Sequence, residues 1–177
     1  MLTVEILKNI CPYADNNRLK DLVDPLNKHM PNLGINSLLR IRHFIAQVAH
    51  ESASFNYLAE IASGSAYEER KDLGNINSGD GIKFKGRGLI QITGRANYEK
   101  CSQALFGNDI LLSNPETLEK PDYAVESACW FWNQHNLNAL ADADNIVAIT
   151  KIINGGQNGL VSRKDFYNRT KLYITEV

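Results

Sequence analysis

Between Ser37 and Glu51, Leu38, Ile41, Phe44, Ile45 and Val48 recur at spacings of three and four, the pattern of a helix with one apolar face. No other segment of the chain is so clearly amphipathic, and it predicts a central core helix ending near His50 or Glu51. The 35 residues that follow, 52–86, are of another kind. Ser, Gly and Asn dominate them around one short helical piece near Ala66–Lys71, so they read as hairpin and loop. A strong core helix running into a polar insert predicts a mainly α fold, with a small hairpin or loop lobe inserted after the third helix.

The flanking segments supply the other helices. Thr3 is placed to cap one through about Ile10, and Asn16 or Asn17 a second that carries Leu19, Leu22, Val23, Leu26 and Met30. Pro25 predicts a kink or an early end there, and Pro31 with Gly34 a stop. Arg95–Phe106 suits a helix stopped by Gly107, and Pro121–His135 another. Asp144 is placed to cap Asn145–Asn154 before Gly155-Gly156, and Ser162 a last helix toward Ile174. With 177 residues, one domain spanning 1–177 is expected, the helices of residues 1–35 packed onto it.

Charge and composition exclude several classes of function. Nineteen basic and 20 acidic residues give a net charge of −1, leaving no global field for nucleic acid or an anionic membrane. No apolar run is long enough to insert stably in a bilayer, and Met1-Leu2-Thr3-Val4-Glu5 does not open a signal peptide. The expectation is a protein made in the cytoplasm. Cys11, Cys101 and Cys129 are odd in number and in no CxxC pair, so neither a disulfide framework nor a metal site is expected, and no cofactor.

Glu51 follows Val48 by three residues and Phe44 by seven, so it continues the apolar stripe of its helix. A carboxyl at a helix C-terminus, beside apolar surface, is pushed toward its neutral form, which a general acid needs. Glu60 comes nine residues later. In an unbroken helix that spacing gives roughly 13 Å of rise and opposite faces. The two serve one cleft only if the chain breaks at Ser52-Ala53-Ser54 and returns through Phe55–Leu58. Glu68 and Glu69 are rivals for the second carboxylate; the plainer reading of both is a solvated helix end or an ion pair with Arg70 or Lys71.

The stretch AHESASF (49–55), then LAE (58–60), then FKGRGLIQITGRANY (84–98) resembles glycoside hydrolase family 19, the chitinase-like enzymes, and within it the short bacterial and phage endolysin forms of the lysozyme-like superfamily. The resemblance implies a lysozyme-like α+β fold, with Glu51 as general acid and Glu60 as general base. Thr93 takes the position whose hydroxyl helps hold the attacking water. Gln91, Asn97 and Tyr98 fall at sugar-contacting positions, and Asn154 and Arg163 resemble later cleft residues. Arg87, between two glycines, is expected to pair with a catalytic carboxylate.

These readings imply a peptidoglycan hydrolase that cleaves β-1,4 bonds between amino sugars with inversion. A chitinase on the same scaffold is the alternative; a lytic transglycosylase and a non-catalytic wall-binding module are further ones. The partner is a polysaccharide, the protein a monomer, and action on the cell wall would follow release through a holin. Lys83, Lys85, Arg87 and Arg95 lie in an acid-free stretch, Gly81–Arg95, and would form a basic rim for an anionic wall polymer.

Overall fold

A computed structural model describes residues 1–177. The core helix runs over Leu38–Glu51 (α3), with the Ser37 hydroxyl accepting the Arg40 N–H at its start. Ile41, Phe44, Ile45 and Val48 are buried along it as their spacing requires, within the largest apolar cluster of the molecule. Its long neighbour is the last helix, Leu160–Tyr173 (α10). From Pro121–Gln134 (α7), Trp132 meets Phe44 edge to face, ring centroids 5.4 Å apart.

The first helix is Val4–Ile10 (α1), capped by Thr3. The second, Asn16–Asn32 (α2), is capped by Asp15 and not by Asn16 or Asn17: the Asp15 carboxylate accepts the Arg18 N–H at 2.9 Å. Pro25 does not end it. Leu19, Leu22 and Leu26 are fully buried on either side of the proline, contributing roughly 5–9 kcal/mol together against about 3 kcal/mol for a proline in a helix interior. Lys28 and His29 then tie α2 to α7 through Asp122, at 3.1 and 2.9 Å.

The lobe begins where α3 ends. Ala53, Ser54 and Phe55 all have positive φ (48°, 63° and 64°), three left-handed residues in a row and none of them glycine. Buried Ser52 holds this turn, its hydroxyl donating to the Val48 carbonyl (2.6 Å) and accepting the Phe55 N–H (2.9 Å). The lobe continues through 3-10 turns at Ser65–Tyr67 and Lys71–Leu73 and a single helical turn, Asp80–Lys83 (α4). The hairpin part of the expectation contracts to two isolated antiparallel bridges, Ala59 with Arg87 and Arg87 with Ile92. Glycines and short helical turns occupy the stretches where longer strands would pair.

Beyond the lobe lie Arg95–Phe106 (α5), Ile110–Ser113 (α6), a 3-10 turn at Pro115–Glu119, α7, Leu137–Asp142 (α8) and Ile146–Asn154 (α9). Two caps differ from expectation. Asn145, not Asp144, caps α9; the Asp144 carboxylate is taken by His43 and Tyr167. Gly159, with φ 73°, precedes α10, and the Ser162 hydroxyl lies 3.0 Å from His50 Nδ1 instead of capping. A second cluster of Phe84, Ile92, Tyr98, Cys101, Leu111 and Leu118 underlies the lobe.

All three cysteines are buried free thiols. Burial pushes Cys11 and Cys101 up to about 12 and raises Cys129 as well. No helix is long and apolar enough to cross a membrane.

Candidate active site

Glu51 sits on the last turn of α3, its side chain 18% exposed, and its Oε1 accepts a hydrogen bond from Arg163 Nη2. The helix terminus and its apolar surround predict a carboxyl driven toward neutrality. The structure places a buried guanidinium against it. Arg163 is therefore the cation that meets a candidate catalytic carboxylate, and Arg87 is not.

Arg87 turns inward. Its Nε donates to Glu119 (2.7 Å) and its Nη1 to the Lys83 carbonyl (2.8 Å) and the Tyr98 hydroxyl (3.1 Å). Tyr98 in turn donates to the Lys85 carbonyl at 2.7 Å and is wholly buried. Arg87, expected beside a catalytic carboxylate, and Tyr98, expected at the sugar, are instead the polar underside of the lobe. The short local motif carries no sign of Glu119, which lies 32 residues on.

The left-handed turn after Ser52 sends the chain back, so that residues 58–60 run antiparallel to 86–88. Glu60 N–H donates to the Gly86 carbonyl (2.8 Å) and Gly88 N–H to the Leu58 carbonyl (2.8 Å). This is the break that spacing demanded for Glu60 to serve. Its carboxylate is held from two sides: Tyr67 Oη donates to Oε1 (3.0 Å) and the Gly86 N–H to Oε2 (3.2 Å). Burial, and then the adjoining Glu60 carboxylate, raise the Tyr67 phenol above its ordinary value, so it stays a donor. No sequence motif marks Tyr67 for this role. Glu68 accepts the Gly79 and Gly81 N–H groups at the start of α4, and Glu69 is exposed. Arg70 pairs with Asp72 and with neither of them.

Gly86 is the pivot of this face. A Cβ there would stand 2.7 Å from Gln91 Oε1 and 3.3 Å from Thr93 Oγ1, so the Gly86 amide, Gln91 and Thr93 crowd one point beside the Glu60 carboxylate. The Thr93 hydroxyl donates to the Gln91 carbonyl (2.8 Å), Gln91 Nε2 to the Gly88 carbonyl (3.0 Å) and Asn97 Nδ2 to the Thr93 carbonyl (2.8 Å). Gln91, Thr93 and Asn97 line a cleft of about 470 Å³, faced by Trp130 and Gln134 of α7, by His135 just after it, and by Ile152 and Ile153 of α9. Leu73, Lys100 and the apolar Ile90, Ile92 and Phe131 complete its walls. Trp130 and His135 are lining residues that no local motif announced. Asn154 is exposed at the C-terminal end of α9, next to the two isoleucines of the wall.

The expected basic rim does not form. Lys85 donates to the Glu60 and Ala62 carbonyls (2.9 and 3.3 Å), Arg87 is paired with Glu119, and Arg95 makes two bonds to buried Asp80. Only Lys83 keeps its ammonium free of an acceptor, 5.4 Å from the centroid of the Phe84 ring.

The chain is similar over most of its length to known proteins. The sequence profile of chitinase class I, glycoside hydrolase family 19, matches residues 40–152. A glycosyl hydrolase family 19 domain-containing protein of Haemophilus influenzae is 28% identical over 94% of this chain and 94% of its own length. An endochitinase of Arabidopsis thaliana is 35% identical over 66% of this chain, which spans only 40% of that relative. Among solved structures, chitinase C of Streptomyces griseus superimposes on 97% of the chain with a TM-score of 0.75 at 23% identity, 76% of its own chain being covered. A bacterial family 19 chitinase superimposes on 99% with a TM-score of 0.74 at 20% identity, with 95% of its chain covered. The last two show the fold, and the profile, which spans more than half of the chain, carries the assignment: the chain belongs to glycoside hydrolase family 19, whose members hydrolyse O-glycosyl bonds.

Proposed function

We propose that the protein cleaves β-1,4 bonds between amino sugars by single displacement with inversion, with Glu51 as acid and Glu60 as base. The observation that carries this reading is the two-sided hold on Glu60. With Tyr67 on one oxygen and the Gly86 amide on the other, the carboxylate is held beside Gln91 and Thr93, two residues of the cleft wall. A water gripped by Glu60 and the Thr93 hydroxyl is aimed at the anomeric carbon, while Glu51 protonates the departing oxygen. Gln91 and Asn97 contact the sugars, and Asn154 closes the rim.

The substrate is peptidoglycan. Lys100 lies in the cleft wall with Gln91, Thr93 and Asn97, which suits a polymer carrying lactyl and peptide carboxylates. The names of the endochitinase relatives favour chitin as a second reading. The protein acts as a monomer on wall material, reaching it after the cytoplasmic membrane is opened by a holin.

Purified peptidoglycan and chitin oligosaccharides, digested side by side and followed by mass spectrometry and proton NMR, test each element. Muropeptides with new reducing ends, released first as α-anomers, are expected. β-Anomers first would overturn inversion, and anhydro-muramic ends would replace hydrolysis by transglycosylation. Turnover of chitin oligosaccharides alone would reassign the substrate. Glu51→Gln and Glu60→Gln are each expected to lower kcat by 100-fold or more, on the order of a lost acid–base catalyst; a variant near wild-type rate loses its assigned role.

A further inference from the structure

One turn before Glu51 on α3, Gln47 is completely buried, a costly place for a primary amide unless both its ends are used. Both are. Its Oε1 accepts from Arg163 Nη1 at 2.5 Å and its Nε2 donates to Thr150 Oγ1 of α9 at 3.3 Å. A guanidinium has no acceptor, so the amide oxygen must face Arg163 and the amide nitrogen must face Thr150. Arg163 is itself 1% exposed, with Nη2 on Glu51 and an Nε that has no partner.

We propose that Gln47, oriented by Thr150, is a positioning residue that fixes Arg163 against Glu51 in both protonation states of the acid. This rests on the assignment of Glu51 as general acid. Such an acid must be neutral before the glycosidic oxygen takes its proton and anionic afterwards. Glu51 is the only anion paired with Arg163, and in the neutral state that attraction is gone. The carbonyl dipole of Gln47 is then the acceptor that keeps the guanidinium in place, ready for the charge that develops on Glu51. Because the amide carries no net charge, it anchors Arg163 without neutralising it.

On α3 and the helices packed on it, the charged and titratable groups that turn inward have partners of their own, while Lys164 and Asp165 of α10 are exposed to solvent. Arg40 pairs with Asp142 of α8, and His43 with Asp144, which also takes the Tyr167 hydroxyl of α10; Lys171 lies over the Tyr167 ring. Arg42 donates to the Ile174 carbonyl. His50, beside Glu51, is depressed to about 4 by burial and then by the Arg163 cation, so it is neutral near neutral pH. Arg163 and its two α3 partners are thus the local charge balance.

The test is the pH profile of kcat/KM on peptidoglycan or chitin oligosaccharide, whichever is turned over. Gln47→Glu supplies Arg163 with a rival anion, so Glu51 holds its proton more readily and the basic limb moves up, by about 1 pH unit. Gln47→Met leaves Arg163 with Glu51 alone, so the basic limb moves down, and kcat falls more than KM changes. A residue that merely fills space would not move the limb in opposite directions. Thr150→Val, a smaller cut that leaves no charge buried, is expected to move it the same way as Gln47→Met and by less; it decides the matter if Gln47→Glu fails to fold by thermal melting. Limbs coinciding with wild type in all folded variants overturn the proposal. Glu51→Gln keeps the two readings apart: if it remains active, the acid assignment itself falls, whereas an inactive Glu51→Gln beside unmoved limbs sinks only the role of Gln47.

Discussion

Gly86 leaves no room for a side chain, and the consequence is measurable. A Cβ 2.7 Å from Gln91 Oε1 must push that amide away or shift the Gly86 N–H off Glu60. Gly86→Ala is therefore expected to lower kcat/KM by about 100-fold, the order of loss for a misplaced catalytic group, while the melting temperature falls little; wild-type turnover would show that this crowding is not part of the site. At this scale the chain advertised chemistry better than contacts. Glu51 ends α3 as its helix register requires, and Gln91, Thr93 and Asn97 share one cleft. Arg87 and Tyr98 do not reach the cleft, because their partners Glu119, Lys83 and Lys85 draw them under the lobe. Arg163 finds Glu51 across 112 residues, a separation no local pattern encodes.

Between residue and fold lies the left-handed turn Ala53-Ser54-Phe55. Three non-glycine residues in that region cost about 1–2 kcal/mol each, and the turn persists because Ser52 bonds both the helix end and the returning chain. Ser52→Ala leaves the buried Phe55 N–H without an acceptor and is expected to cost about 1–3 kcal/mol, read as a lower urea midpoint, with a drop in kcat/KM because Glu60 rides on this return. A variant that loses neither would mean the turn holds itself. The need for a break was legible, since nine residues of helix cannot pair two carboxylates. Its handedness was not, for nothing in Ser-Ala-Ser-Phe names a positive φ. The helices show the same division. Apolar spacing marked α3 and α2, but their ends were decided by hydrogen bonds, so Asp15 took the cap from Asn16, and Gly159 preceded α10 while Ser162 turned to His50.

Across the whole molecule, acid is expected to weaken the fold before it reaches ordinary carboxylate values. His50 titrates at about 4 in the folded chain against 6.5 unfolded, and burial lowers His43 too. A depressed histidine means the unfolded chain binds the proton first, so stability is full above about pH 6.5 and declines as pH falls toward 4. Urea midpoints at pH 7 and pH 5 should differ in that sense, and His50→Gln should narrow the difference; equal midpoints at the two pH values in wild type would refute it. The overall arrangement, a helical body with a lobe after its third helix, was legible because a period of 3.6 and its interruption are both written locally. The sparse strand pairing was not, since glycine and serine suit a hairpin and a coil alike. Finally, the three thiols are buried and driven far from their reactive form. A cysteine placed by design on exposed Tyr57 or Ile61 would be the single group a maleimide dye attacks, so the lobe can carry a fluorophore or spin label without first stripping the native chain of sulfur.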